Sequence, residues 1–151
     1  MKKDYSTVQE ISVSYKPTFK LSEMPKLISS KEVYDFLRTI WDEDTIQYSE
    51  SFYVVHLNQG NRMIGVQRVS SGGLTGTVAD PRIIFGTAVK IGTINMIIAH
   101  NHPSGNLKPS EADKEMTLKI KNGGKLFDMK LLDHLIISSE GYFSFNDEGL
   151  M

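Results

Sequence analysis

The stretch Ile94-Asn95-Met96-Ile97-Ile98-Ala99 limits what this chain can fold into more than any other. It is short and almost wholly apolar, the pattern of a strand covered on both faces. Such a strand needs packed elements above and below a sheet, which points to an α/β architecture rather than a helical bundle or an open β-meander. Directly after it stands His100-Asn101-His102-Pro103, so polar, metal-capable chemistry sits at the mouth of the buried strand.

The remaining periodicity supplies the other elements. Val33, Phe36, Leu37, Ile40 and Trp41 recur at helical spacing over residues 31–41, and Ser29 with Glu32 makes a capping box. Residues 51–57 and 63–69 read as strands joined by the turn-forming Asn58-Gln59-Gly60-Asn61. Asp80-Pro81 pairs an N-cap with proline at the first helical position, and the helix it opens should stop near Gly92. Residues 100–109 are expected to form a loop. A helix with Ala112, Met116, Ile120 and Leu126 as apolar candidates comes next, its C-terminal half weakened by Gly123-Gly124. Residues 131–138 and 142–145 close the chain as two strands. The order α, β, β, α, β, α, β, β predicts a mixed β-sheet with helices packed on it. Residues 1–28 read as an N-terminal arm with room for one edge strand at Ile11, Val13 and Tyr15, and 29–151 as a single domain.

Composition narrows the chemistry. Without cysteine there is no disulfide framework, no thiolate zinc site and no cysteine nucleophile, so any metal must be held by His and carboxylate. A net charge of −1 gives no global field toward nucleic acid, and direct nucleic-acid binding is expected to be weak or absent. No apolar run approaches the roughly 18 residues of a membrane span, and the N-terminus lacks the apolar stretch of a secretory signal. The expected location is therefore cytoplasmic.

In an extended segment residues two apart point to the same side, so His100 and His102 can present both imidazoles to one point. Asp113, one turn into the next helix, can face back toward the strand end. Zn²⁺ accepts such a His₂-carboxylate set in catalytic sites and leaves its fourth position to water. A proton acceptor beside that water is then needed, and between Thr45 and Ala99 only Glu50 and Asp80 carry carboxylates. Asp80 is committed to capping, which leaves Glu50 at the mouth of a strand.

The pattern His-x-His, seven residues, Ser, two residues, Asp, with a Glu upstream, resembles the JAMM (MPN+) metallopeptidase signature. The words His-Asn-His-Pro-Ser-Gly, Pro-Ser-x-x-Asp and Leu-Leu-Asp-His-Leu-Ile-Ile are similar to the RadC branch of that superfamily, whose members often carry a DNA-repair label. The resemblance runs from about Ser29 to Gly149. It implies a deaminase-like JAMM/MPN sandwich, His100, His102 and Asp113 as zinc ligands, and Glu50 as general acid/base. It also implies Ser110 as the hydroxyl that steadies the oxyanion, and an amide of a protein or peptide as substrate. Longer members of the branch carry an N-terminal helix-hairpin-helix region associated with DNA, and the thirty residues before Lys31 are too few for one.

Plainer readings stand beside these. Ser110 and Asp113 also form an N-capping pair, and a carboxylate that caps is not expected to serve a metal as well. Glu50 can be read as a solvated strand-end carboxylate, and Asp133-His134 as a hydrogen-bonded core or supporting pair rather than ligands. His56 reads as a packing or surface residue. Against the hydrolase stands a binding module of repair or mobile-element machinery in which the metal site is structural or vestigial. A zinc deaminase would need Cys ligands and a His-x-Glu word, both missing.

Overall fold

The computed structural model describes residues 15–72 and 79–151. Ile11 and Val13, two of the three positions of the suggested edge strand, lie outside them. Tyr15, the third, is exposed and donates its hydroxyl to the Ile64 carbonyl at 2.7 Å.

Helix α1 spans Ser30–Ile40, opened by the expected Ser29/Glu32 capping box, an arrangement worth about 1 kcal/mol. Strands β1 (Ser51–Leu57) and β2 (Met63–Ser71) form the hairpin. Helix α2 (Pro81–Ile91) starts on Asp80 and ends at Gly92, whose φ of 71° is the left-handed conformation glycine adopts without strain. Strand β3 (Asn95–Asn101), helix α3 (Glu111–Lys125), β4 (Lys130–Ile137) and β5 (Tyr142–Ser144) complete the predicted order.

The five strands make one mixed sheet in the order β2-β1-β3-β4-β5. β3 lies at its centre, antiparallel to β1 and parallel to β4, with every residue buried. Ile97 and Ala99 face α1 together with Val33, Leu37, Trp41 and Leu135. Met96 and Ile98 face the other side, in a second core with Ile84, Ala88 and Ile120 of α2 and α3. This is an α/β sandwich, one helix on one face and two on the other. Among the described residues no helix is long and apolar enough to cross a membrane.

Three expectations need correction. The loop begins at His102 rather than His100, because His100 and Asn101 still pair with Ile136 and Ile137 of β4. α3 runs unbroken through Gly123-Gly124. The glycines are there for packing: a Cβ on Gly123 would come within 2.7 Å of the Phe85 ring, and one on Gly124 within 2.8 Å of the Met129 carbonyl oxygen. Leu126 is the C-cap and 83% exposed, so it does not belong to the apolar face of α3.

β4 carries an irregularity that matters for the site. Met96 pairs with Leu131 but Ile97 pairs with Asp133, so Leu132 is an extra residue. Such a bulge reverses which side chains point to which face. Leu131 and His134 consequently face α2 and α3, while Leu132 and Asp133 face α1.

His56, on β1, is buried between Thr93 (3.0 Å) and Gln67 (3.2 Å), which fits the packing role, and burial holds its pKa below the ordinary value.

Candidate metal centre

The site assembles at the C-terminal end of β3. His100 follows Met96 and Ile98 in alternation and so points toward α3, with a side chain 1% exposed. Pro103 and the loop that follows hold His102 through its ring: Nδ1 lies 2.5 Å from the Asn106 carbonyl oxygen. A carbonyl can only accept, so His102 Nδ1 carries the hydrogen and its Nε2 is left with a lone pair whenever the ring is neutral. The two Nε2 atoms are 3.0 Å apart.

Asp113 enters from the first turn of α3. Its Oδ1 lies 3.0 Å from His100 Nε2, and its Oδ2 lies 3.6 Å from His102 Nε2. The capping box is present as well: Asp113 Oδ2 accepts from the Ser110 amide and hydroxyl, both at 2.7 Å, and Ser110 Oγ accepts from the Asp113 amide at 3.1 Å. Capping and facing the histidines were expected to exclude each other. They do not, because the carboxylate divides its oxygens, Oδ2 to the cap and Oδ1 toward His100.

Glu50 precedes β1, which runs antiparallel to β3 with Phe52 opposite His100. That register carries Glu50 past the end of β3, where its Oε1 lies 3.9 Å from His100 Nε2. Glu50 thus stands farther from His100 than Asp113 does. One atom each from Glu50, His100 and His102 nonetheless falls within 4.8 Å of the others, an alternative trio of donors. A cavity of about 90 Å³ opens beside these groups, with Phe52, Ala79, Ala112 and Met116 among its walls.

The electrostatics ask for positive charge. Burial pushes the Asp113 carboxyl up, but its bonds with His100 and His102 outweigh this and hold it well below the usual carboxylate range. His102 is raised, by Asp113 first, against the opposing effect of burial. A tetrahedral zinc ion with ligand bonds of 2.0–2.1 Å sets its donor atoms about 3.3 Å apart. The 3.0 Å between the two Nε2 atoms, the 3.0 Å from His100 Nε2 to Asp113 Oδ1 and the 3.6 Å from His102 Nε2 to Asp113 Oδ2 lie on either side of that figure, so two imidazoles facing the two oxygens of one carboxylate suit a small divalent cation.

Sequence reasoning missed two contributors. Asn101, between the two histidines, points to the opposite face and is fully buried. Its Oδ1 accepts from the Ser51 amide at 2.7 Å, and its Nδ2 donates to the carbonyls of Ile46 (2.7 Å) and Ser49 (2.9 Å). The backbone on both sides of Glu50 is thereby tied to the strand that bears the histidines. Alternation in His-x-His places the middle residue on the far face, and its amide type was the available signal. Asn101→Ala strands a buried amide and two carbonyls, and should cost about 3 kcal/mol or more in urea unfolding. A change within about 1 kcal/mol would remove the clamp from the account.

The second is Thr117, whose hydroxyl meets His134 Nδ1 at 2.7 Å, while His134 Nε2 meets His100 Nδ1 at 2.8 Å. Asp133 and His134 do not pair through their side chains. As neighbours in β4 they point to opposite faces by alternation, and Asp133 accepts instead from the His134 backbone amide, Ser144 and Asn146.

Residues 27–150 match the RadC-like JAB domain. Three relatives, all described as UPF0758 proteins, come from Flavobacterium johnsoniae (42% identical over 128 residues), Porphyromonas gingivalis (41% over 130) and Symbiobacterium thermophilum (38% over 125). The alignments cover 85%, 85% and 83% of this chain but 55%, 57% and 52% of those proteins, so the chain spans about half the length of the curated relatives it matches. With the family match running through the whole five-stranded sheet and both His100 and His102, the chain belongs to the RadC-like JAB domain family.

Proposed function

We propose that the chain is a zinc-dependent hydrolase of amide bonds, of the peptidase or isopeptidase type, acting on a protein or peptide. The observation that carries this reading is the convergence of His100 Nε2, His102 Nε2 and the Asp113 carboxylate, with His102 already oriented by Asn106 to offer a lone pair. These three would hold the metal. Zinc bound there would supply Lewis acidity, lowering the pKa of water toward roughly 7 and polarising a carbonyl.

The chain's own groups would carry the proton and the charge. Glu50, outside the tightest trio, would take a proton from the attacking water and pass it to the leaving nitrogen, which departs poorly unless protonated. Ser110 is exposed at the N-cap of α3, within a substrate's reach, and would donate to the carbonyl oxygen as negative charge develops. Its hydrogen now rests on Asp113 Oδ2, so that role requires the bond to be given up. The Asn101 clamp would keep the backbone on either side of Glu50 in place beside the histidines.

The test begins with metal content and a substrate screen. One zinc per chain is expected, with cleavage of some members of a peptide and isopeptide library by the zinc-loaded protein and of none after chelation. Lack of zinc uptake would end the reading.

The pH dependence of loading has a definite sign. Protons and metal compete for His102 Nε2, and the raised pKa of His102 means that competition sets in above the ordinary 6.5. Zinc affinity should be highest in mildly alkaline buffer and fall about tenfold per pH unit once the pH drops below that raised value. Chelator competition across the neutral range measures it. Affinity unchanged down to about pH 5.5 would show that the ring is not a ligand.

A further inference from the structure

Behind His100 lies a chain of hydrogen-bonding groups that the proposed chemistry does not use. His134 Nε2 is 2.8 Å from His100 Nδ1, and His134 Nδ1 is 2.7 Å from Thr117 Oγ1. The same hydroxyl lies 2.7 Å from the Asp113 carbonyl oxygen, one turn back in α3. Thr117 thus has one hydrogen and two equidistant acceptors. His100, His134 and Thr117 are 1%, 0% and 3% exposed, so bulk water cannot replace a missing partner.

Counting hydrogens leaves two arrangements. The His134 ring is fully buried and its two nitrogens meet only a hydroxyl and another imidazole, with no carboxylate among those partners, so the ring is neutral and carries one N–H. In the first arrangement Thr117 donates to His134 Nδ1, His134 Nε2–H donates to His100 Nδ1, and His100 Nε2–H faces Asp113 Oδ1 at 3.0 Å. In the second, Thr117 donates to the Asp113 carbonyl, His134 Nδ1–H donates to Thr117, and His100 Nδ1–H donates to His134. His100 Nε2 then presents a lone pair to the site. The three groups carry three hydrogens in both cases, so the exchange leaves the charge unchanged.

We propose that Thr117 and His134 are positioning residues that support either tautomer of His100, and that donation along Thr117–His134–His100 reverses when a divalent cation takes the His100 Nε2 lone pair. Without a cation, the carboxylate of Asp113 favours a hydrogen on His100 Nε2. With one, only the second arrangement leaves every group partnered. A metal-binding imidazole is ordinarily held by a fixed acceptor behind it. Here the support is reversible because its last member is a hydroxyl with a second acceptor in reach. The relay rests on the metal reading of the site.

Nitrogen-15 NMR of the imidazoles reads both tautomers in the full chain, before and after one equivalent of zinc. His134 is expected to carry its hydrogen on Nε2 in the zinc-free protein and on Nδ1 in the loaded one, with His100 protonated at Nδ1 once zinc is bound. Thr117→Val keeps the shape but removes the hydroxyl, and should weaken zinc binding about 10–100-fold in chelator competition, with Thr117→Ser restoring it. A merely structural Thr117 would alter the melting temperature without moving tautomer or affinity. Zinc bound with the His134 tautomer unchanged would overturn the relay alone, as would wild-type affinity in Thr117→Val. Absence of zinc uptake by the wild-type chain would overturn the metal reading and the relay with it. Should the valine variant not fold, the two wild-type spectra decide the matter.

Discussion

Glu50→Gln is expected to retain its zinc while kcat for amide hydrolysis falls by a factor on the order of 10²–10⁴. The substitution keeps the side chain's size and reach but removes a proton acceptor at neutral pH. Glu50 Oε1 stands 3.9 Å from His100 Nε2, against 3.0 Å for Asp113 Oδ1, so the tight donor trio is untouched. KM should barely change, because the proton transfer belongs to the transition state and not to substrate binding. Stability should hold too: the Glu50 backbone is fixed through its carbonyl, which accepts from Gly72 at 2.7 Å, and through the Asn101 bonds on either side. Loss of zinc in this variant would instead make Glu50 a ligand with His100 and His102, the alternative grouping. Zinc and full activity retained together would refute the proton-carrying role.

Asp113→Ala should weaken zinc binding by at least about 10³-fold, beyond the 10–100-fold typical of residues that only support a ligand. Two functions are lost at once in that variant, so Asp113→Asn is the sharper measurement. Its amide oxygen can still accept from the Ser110 amide and keep most of the helix cap, which is worth about 1 kcal/mol. It cannot supply the negative charge that raises His102. The asparagine variant is therefore expected to melt close to the wild-type zinc-free protein yet to fail in chelator competition. Equal zinc affinity in Asp113→Asn and the wild type would remove Asp113 from the donor set.

The parts of this molecule that were legible in the sequence are those governed by local chemistry. The Ser29/Glu32 box, the Asp80-Pro81 start, the Gly92 stop and the apolar run of β3 each follow from neighbours within a turn or a strand, and each stands where it was expected. Spacing also brought His100, His102 and Asp113 together correctly, since two-residue alternation and one helical turn are local geometry. What escaped depends on contacts across the sheet. Whether β3 ends at Ala99 or Asn101 is decided by β4, more than thirty residues later in the chain. The Asn101 clamp spans 50 to 55 positions, and Thr117 and His134 meet across 17. The division of the Asp113 oxygens was hidden for a different reason, because residue type alone does not say that a carboxylate can serve two neighbours with separate atoms.

The single extra residue at Leu132 has a consequence for the strength of the site. Had β4 continued from Leu131 in regular register, Asp133 would lie beside Ile98, and alternation would leave His134 facing α1. The bulge substitutes an imidazole for a carboxylate behind His100. A carboxylate in that position draws the ring toward imidazolate and makes it a strong electron donor, which quenches the charge of whatever it binds. A neutral imidazole does so only weakly. A cation held by His100 would therefore keep more of its own charge to act on a bound molecule, and would give up some affinity in exchange.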